Sequence, residues 1–132
     1  MTELTITVPR SLWMSSNQRR DRRADMGKVR DLRTLGFATA RMRRVPKFHQ
    51  VHVCAFIQYP TAHKADPPNA WPTLKAILDG LTDAGVWADD SSEHVVATEF
   101  RRDPGKSDTG TYRVRLVLTD QAVPFANQEA GK

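Results

Sequence analysis

Apolar and polar residues alternate at the start of the chain. Leu4, Ile6 and Val8 are separated by Thr5 and Thr7, and a period of two predicts a half-buried strand. The stretch SSNQRRDRRADMG that follows is polar and reads as a mobile loop. Over residues 28–42 the period changes. Val29, Leu32, Leu35 and Ala38 or Thr39 recur at helical spacing, against the grain of Gly36 and bounded by Pro46. FHQVHVCAFIQY, at 48–59, is β-branched and aromatic, a strand stopped by Pro60.

The clearest element is a second helix over 72–84. Pro72 suits a first helical position, because its missing N–H would have no partner there. Leu74, Ile77, Leu78 and Leu81 make its apolar stripe, and Gly85 stands where a left-handed C-terminal cap belongs. Two strands, HVVATEFRR and TYRVRLVLT, then read as a long hairpin closed by DPGKSDTG. The order β-α-β-α-β-β predicts an α+β (mixed α/β) fold, with the helices packed on one small mixed sheet. Residues 1–120 form the expected single domain and 121–132 a flexible tail.

Charge changes this picture. The chain of 132 residues carries a formal net charge of +5. Residues 1–65 hold 13 Lys/Arg against four Asp/Glu, and residues 66–132 seven against eleven. A basic half points to a polyanion, of which nucleic acid is the commonest in the cytosol. The basic run lacks the apolar face that a membrane surface would need. No apolar run approaches the ~18 residues of a membrane span, and the N-terminus does not read as a signal peptide. Cys54 is alone, so no internal disulfide is expected, and a reducing, cytoplasmic setting fits. The four histidines, His49, His52, His63 and His94, form no ligand motif, and no Cys/His spacing suggests zinc.

Against this basic background, ADPPNAWPTLKAILDGLTDAGVWADD gathers Asp66, Asp79, Asp83, Asp89 and Asp90 around Lys75 alone. Asp79 is four residues after Lys75 and shares its helix face. Asp66 precedes the helix. If GVWAD runs back along it, Asp89 or Asp90 returns to the end where Asp66 and Lys75 lie. Carboxylates forced together repel, unless one takes up a proton or a cation joins them. A hard cation such as Mg²⁺ takes oxygen ligands and commonly keeps waters and a substrate phosphate. A carboxylate pair beside a lysine is the equipment of metal-assisted phosphodiester hydrolysis. Plainer roles fit the same residues. Asp90-Ser91-Ser92-Glu93 has the pattern of a capping box, Asp66 before Pro-Pro suits an Asx turn, and Lys75 with Asp79 suits a solvated ion pair.

Residues 74–90, LKAILDGLTDAGVWADD, resemble the signature of the RusA family of Holliday-junction resolvases. The matching positions are Lys75, Asp79, Gly80, Leu81, Thr82, Ala84, Gly85, Val86, Trp87, Asp89 and Asp90, with Asp66 and Asn69 upstream in the place of an aspartate-rich loop. TVP…SSN, with Asn17, resembles the family's N-terminal region loosely. The resemblance implies a small, dimeric, Mg²⁺-dependent (or Mn²⁺-dependent) endonuclease of DNA recombination and repair, commonly phage-encoded. It would nick four-way junctions symmetrically and use no small-molecule cofactor. It further implies Asp66, Lys75 and Asp90 as catalytic residues, with Asp66, Asp90, Asp89 and Asn69 at the metal and Asp79 in support. Candidate DNA contacts are Asn17, Arg19, Arg20, Arg22, Arg23, Lys64, Arg101, Arg102 and Lys106. In a mobile loop, the arginines would order on the phosphate backbone and give steeply salt-dependent binding. Trp71 suits either stacking on an unpaired base or packing at the helix entry, Trp87 suits the core, and Trp13 suits either setting.

One position departs from the family pattern. Pro68 stands where a second loop aspartate is usual, and proline has no side-chain ligand. Asn69, Asp79 or Asp89 would fill the gap. Otherwise the chain is a junction-binding protein of the same fold without catalysis. An RNA-binding module is disfavoured, because nothing resembles an RNA-binding motif.

Overall fold

Leu4, Ile6 and Val8 form the buried face of the first strand, β1 (Thr2–Pro9). The same alternation recurs at Val114, Leu116 and Leu118 in the last strand, β4 (Thr111–Asp120). Between them lie α1 (Arg22–Met42), β2 (Val51–Gln58), α2 (Trp71–Asp83) and β3 (Val95–Arg102), with short 3-10 turns at Arg10–Leu12 and Pro67–Ala70. The structure is a computed structural model describing residues 1–18 and 21–121. The fold is α+β, and the sheet is mixed. The tail expected from residue 121 lies, from residue 122 on, outside the described residues. Gln121 still donates its backbone N–H to the carbonyl of Gln50.

The strand order is β1-β4-β2-β3. β4 runs antiparallel to both β1 and β2, while β2 and β3 are parallel and joined through α2. The hairpin expected between β3 and β4 does not form, because β2 lies between them. The connection 103–110 instead passes over the end of β2. The Asp103 N–H bonds to Ile57 O at 2.8 Å and the Ser107 N–H to Tyr59 O at 2.9 Å. A turn-rich segment between two strands predicts a reversal of direction, but not that the strands it joins are neighbours.

α1 begins six residues before the expected start. Asp21 caps it, its carboxylate accepting the N–H of Arg23 at 2.9 Å, so Arg22 and Arg23 lie in a helical first turn rather than a loop. Its buried stripe is also rotated from the expected one. Leu32, Gly36 and Ala40 face inward, while Val29 is 39% exposed. The reason is the partner helix. Gly36 and Gly80 lie where α1 and α2 approach backbone to backbone, with Gly36 against Ile77 and Gly80 against Arg33 and Phe37. Beside this contact, the Arg33 guanidinium grips the Asp83 carboxylate through two bonds, at 2.5 and 2.8 Å.

α2 ends as its sequence predicts. Gly85 has φ +81°, the Val86 N–H reaches Leu81 O, and the Gly85 N–H reaches Thr82 O. This is the paired closure of a glycine-capped helix. Its first turn is fixed by a buried polar contact. The hydroxyl of Thr73, fully buried, accepts from the Met14 N–H and donates to the Met14 carbonyl, both at 2.8 Å. Thr73→Val keeps the shape but leaves both backbone groups unpaired, and should cost about 1–3 kcal/mol in chemical denaturation. An unchanged midpoint would show that water reaches Met14.

Candidate catalytic site

The residues after Gly85 do turn back. Val86 and Trp87 are buried, and Trp87 Nε1 donates to Thr82 Oγ1 at 2.6 Å. The Val86 carbonyl accepts the N–H of Phe48 at 2.7 Å, tying the returning chain to the segment before β2. The return carries Asp90 to Lys75. The Lys75 ammonium bonds to Asp79 Oδ1 at 2.6 Å and to Asp90 Oδ2 at 2.5 Å. Helix spacing supplies the first contact, and the cap at Gly85 makes the second possible.

The adjacent acids divide two roles. The Asp89 carboxylate accepts the Ser91 N–H at 2.8 Å, so Asp89 rather than Asp90 makes the local turn. Asp90 is thereby left to Lys75. Burial works against the charge on Lys75, but its hydrogen bonds to Asp79 and Asp90 outweigh it and raise the pKa above its ordinary 10.5. The bond from Lys75 chiefly holds Asp90 below its ordinary 3.8, and the bond from Ser91 does the same for Asp89. Lys75 is therefore a permanent cation near neutrality, suited to stabilising charge rather than to accepting a proton.

The sign of the pH dependence follows. The depressed Asp90 contributes stability above pH 3.8, which is lost as pH falls through its lower native value. The raised Lys75 contributes below pH 10.5 and loses that contribution as pH rises through its higher native value. Lys75 and Asp90 side chains are each 42% exposed, so solvent screening limits the pair to a few tenths of a kcal/mol. An NMR titration of the Asp90 carboxyl should find its midpoint below 3.8 in the native protein. In Lys75→Met it should lie at or above that value, and an identical midpoint in both would show that Lys75 does not hold the carboxylate.

Asp66 lies apart from this cluster in its bonding. It occupies the N-terminal position of the Pro67–Ala70 turn, yet its side chain makes no capping bond. It is exposed and lines a cavity of about 230 Å³ together with Asn17, Asn69 and Lys64. The Asx-turn role is thus not taken up. Pro67 and Pro68 start the turn, and the Asn69 N–H bonds to the Asp66 carbonyl at 2.9 Å.

Among the described residues no group of three or more His, Cys, Asp or Glu side chains could hold a metal ion. An all-protein cage therefore does not fit. A hard cation held by one or two carboxylates, with water and a substrate oxygen, does fit the chemistry of Asp79 and Asp90. Both are oxygen donors, and both bond to the single Lys75 ammonium, which leaves a net negative charge for a cation to offset.

The expected DNA contacts fall in different settings. Lys64 and Asn17 both line the cavity beside Asp66. Arg102 donates to the carbonyls of His63 and Thr61, at 2.9 and 3.2 Å, and lies over the ring of Tyr59. It holds the loop that carries Lys64 and Asp66. Arg101 pairs with Glu99 at 2.8 Å. Lys106 lies exposed in the β3–β4 connection. Arg19 and Arg20 lie outside the described residues.

Of the tryptophans, Trp87 is core. Trp71 is 42% exposed and meets Phe100 edge to face. Trp13 is buried and stacks on Tyr112, centroids 4.1 Å apart. Tyr59 and Tyr112, which line the same cavity, carried no functional signal in the sequence beyond their places at strand ends. Neither a protein-family model nor any curated protein matches this chain.

Proposed function

We propose that this protein is a divalent-cation-dependent endonuclease that resolves four-way DNA junctions, acting as a homodimer. One observation carries the reading: an ammonium group, Lys75, clamped between two part-exposed carboxylates, Asp79 and Asp90, that come from separate segments. The resemblance of residues 74–90 to junction resolvases supports it, as does the basic first half of the chain.

The chemistry assigned to each residue is simple. Lys75 has three N–H donors, and the two carboxylates engage it at 2.6 and 2.5 Å. A remaining donor can meet a non-bridging phosphate oxygen, where negative charge grows as the phosphodiester is cut. Asp90 and Asp79 are the residues that would hold the ion. Bound there, a divalent cation would neutralise the phosphate and supply hydroxide near neutral pH. Asp89 keeps the turn that aims Asp90, and Arg102 keeps the loop that carries Asp66. Two matched cuts in a two-fold junction need two matched sites, which a symmetric dimer provides.

A second reading is a junction-binding protein without catalysis. It is favoured by Pro68, exposed in the turn after Asp66, and by the lack of a three-ligand group among the described residues. Incubation with a synthetic four-way junction and a matched duplex, in Mg²⁺ and in EDTA, separates the two. Paired Mg²⁺-dependent nicks confined to the junction are the result expected of the nuclease. Junction binding without nicks, unaltered by Asp90→Asn, is the result expected of the binder. Binding indifferent to branching would defeat both.

A further inference from the structure

The cavity beside Asp66 has a chemistry of its own. At about 230 Å³ it lies below the ~300 Å³ at which drug-sized ligand sites begin, so it suits one planar ring system rather than two. Trp13, Tyr59 and Tyr112 form its aromatic wall. Trp13 is stacked on Tyr112 with the rings 4° from parallel, and Tyr59 stands edge-on to Tyr112 at 5.9 Å. Three amide side chains, Asn17, Gln18 and Asn69, line the same space.

Those amides are supplied with open hydrogen-bonding groups. The Ser15 hydroxyl donates to Asn17 Oδ1 at 2.5 Å, which fixes the amide and leaves its NH₂ group as the donor. The surrounding walls are held by bonds between distant segments. The Ser16 N–H meets Asn69 O at 2.8 Å, Thr73 holds Met14, Arg102 holds Thr61 and His63, and the Ser107 N–H holds Tyr59 O. The site is thus built before any ligand arrives. Lys64, exposed on its lining, adds a positive charge.

An aromatic wall, amides and a lysine together match one ligand class. Rings pack against a base, amides read its polar edge, and the lysine meets its phosphate. We propose that this cavity receives a single unpaired nucleotide of the DNA strand next to the cut. A base inside an intact duplex keeps its edge paired and its faces stacked, so only a base freed at a branch point or in a single strand can enter. This rests on the nuclease reading for its place beside the cut. Asp66, which lines the same cavity, opens the turn that leads into the helix of Lys75, so in the nuclease reading the base held there would adjoin the phosphate to be broken, and the amides would set which sequence is cut.

The test uses the full chain in EDTA, with NMR of side-chain amide and indole signals. The probes are the four deoxynucleoside 5′-monophosphates and single-stranded tetranucleotides of each base. The expected result is a saturable shift of the Asn17 and Asn69 NH₂ signals and of the Trp13 indole N–H, strongest for one base. In the double variant Asn17→Ala/Asn69→Ala the affinity should fall about tenfold, while Lys64→Ala should weaken all four bases alike. Tetranucleotide binding that leaves those three signals unmoved, or no binding up to millimolar concentration, overturns the proposal. Junction cleavage is measured in parallel. Cleavage without the shifts removes the pocket and leaves the nuclease; the shifts without cleavage keep the pocket and remove the nuclease.

Discussion

Gly80→Ala should lower the stability of the protein by about 2–4 kcal/mol, although alanine is the better helix former by about 1 kcal/mol. A methyl group at Gly80 would overlap the Arg33 carbonyl and the Phe37 backbone nitrogen on α1. Neither neighbour is a side chain that can rotate away, so the helices must separate. Separation loosens contacts that bury Leu32, Leu74 and Ile77, and overpacking of this kind outweighs the gain in propensity. Gly27, also in α1, provides the contrast. A methyl group there would meet no atom within 4 Å, so Gly27→Ala should stabilise by about 0.5–1 kcal/mol. Thermal melts of the two variants should therefore move in opposite directions, Gly80→Ala by roughly 7–14 °C downward. Equal or reversed shifts would mean that α1 and α2 do not meet at their glycines.

That contact also explains what the sequence conceals about α1. Periodicity finds a buried face by its large apolar residues. Here the face is made by Leu32, Gly36 and Ala40, two of them too small to register. Gly36 looks like a defect in a helix until the second helix is placed against it. α2 was legible almost to the residue, because everything that defines it is local: Pro72, the leucine stripe, and the glycine at left-handed φ. The sheet was legible in its strands but not in its order. β4 enters between β1 and β2 through partners such as Thr2 and Leu118, far apart in sequence, and no local pattern encodes that choice.

The candidate site shows the same division. The i,i+4 pairing of Lys75 with Asp79 follows from helix geometry, and the reversal at Gly85 makes the arrival of Asp90 foreseeable. Which of two adjacent aspartates turns the chain and which reaches the lysine depends on one peptide's orientation, fixed by the Ser91 N–H on Asp89. Asp66 was legible as an acid before the helix. Its bonding, apart from the Lys75 cluster and on the lining of an aromatic cavity, depends on Trp13, Tyr59 and Tyr112 converging from three separate segments.

On the nuclease reading, Lys75→Met should reduce the rate of junction cleavage by about 10²–10³-fold in single-turnover conditions, with junction affinity changed by less than threefold or so. The methionine keeps most of the side chain's length and removes only the ammonium group. Two consequences then coincide. The phosphate loses a donor aimed at its developing charge, and Asp90 loses the hydrogen bond that chiefly holds its carboxyl below the ordinary range. Stability should change little, since both salt bridges are part-exposed. Lys75→Arg tests the geometry separately from the charge. Its planar fork is broader than an ammonium and cannot place one hydrogen on each carboxylate and a third on the phosphate in the same directions. It should therefore restore the ionisation of Asp90 while recovering only part of the rate. If Lys75→Met cut junctions at the native rate, the cluster would be a surface ion pair, and the chemistry would have to be sought elsewhere. If Lys75→Arg were fully active, a positive charge alone would suffice, and the clamp between Asp79 and Asp90 would serve the helix rather than the reaction.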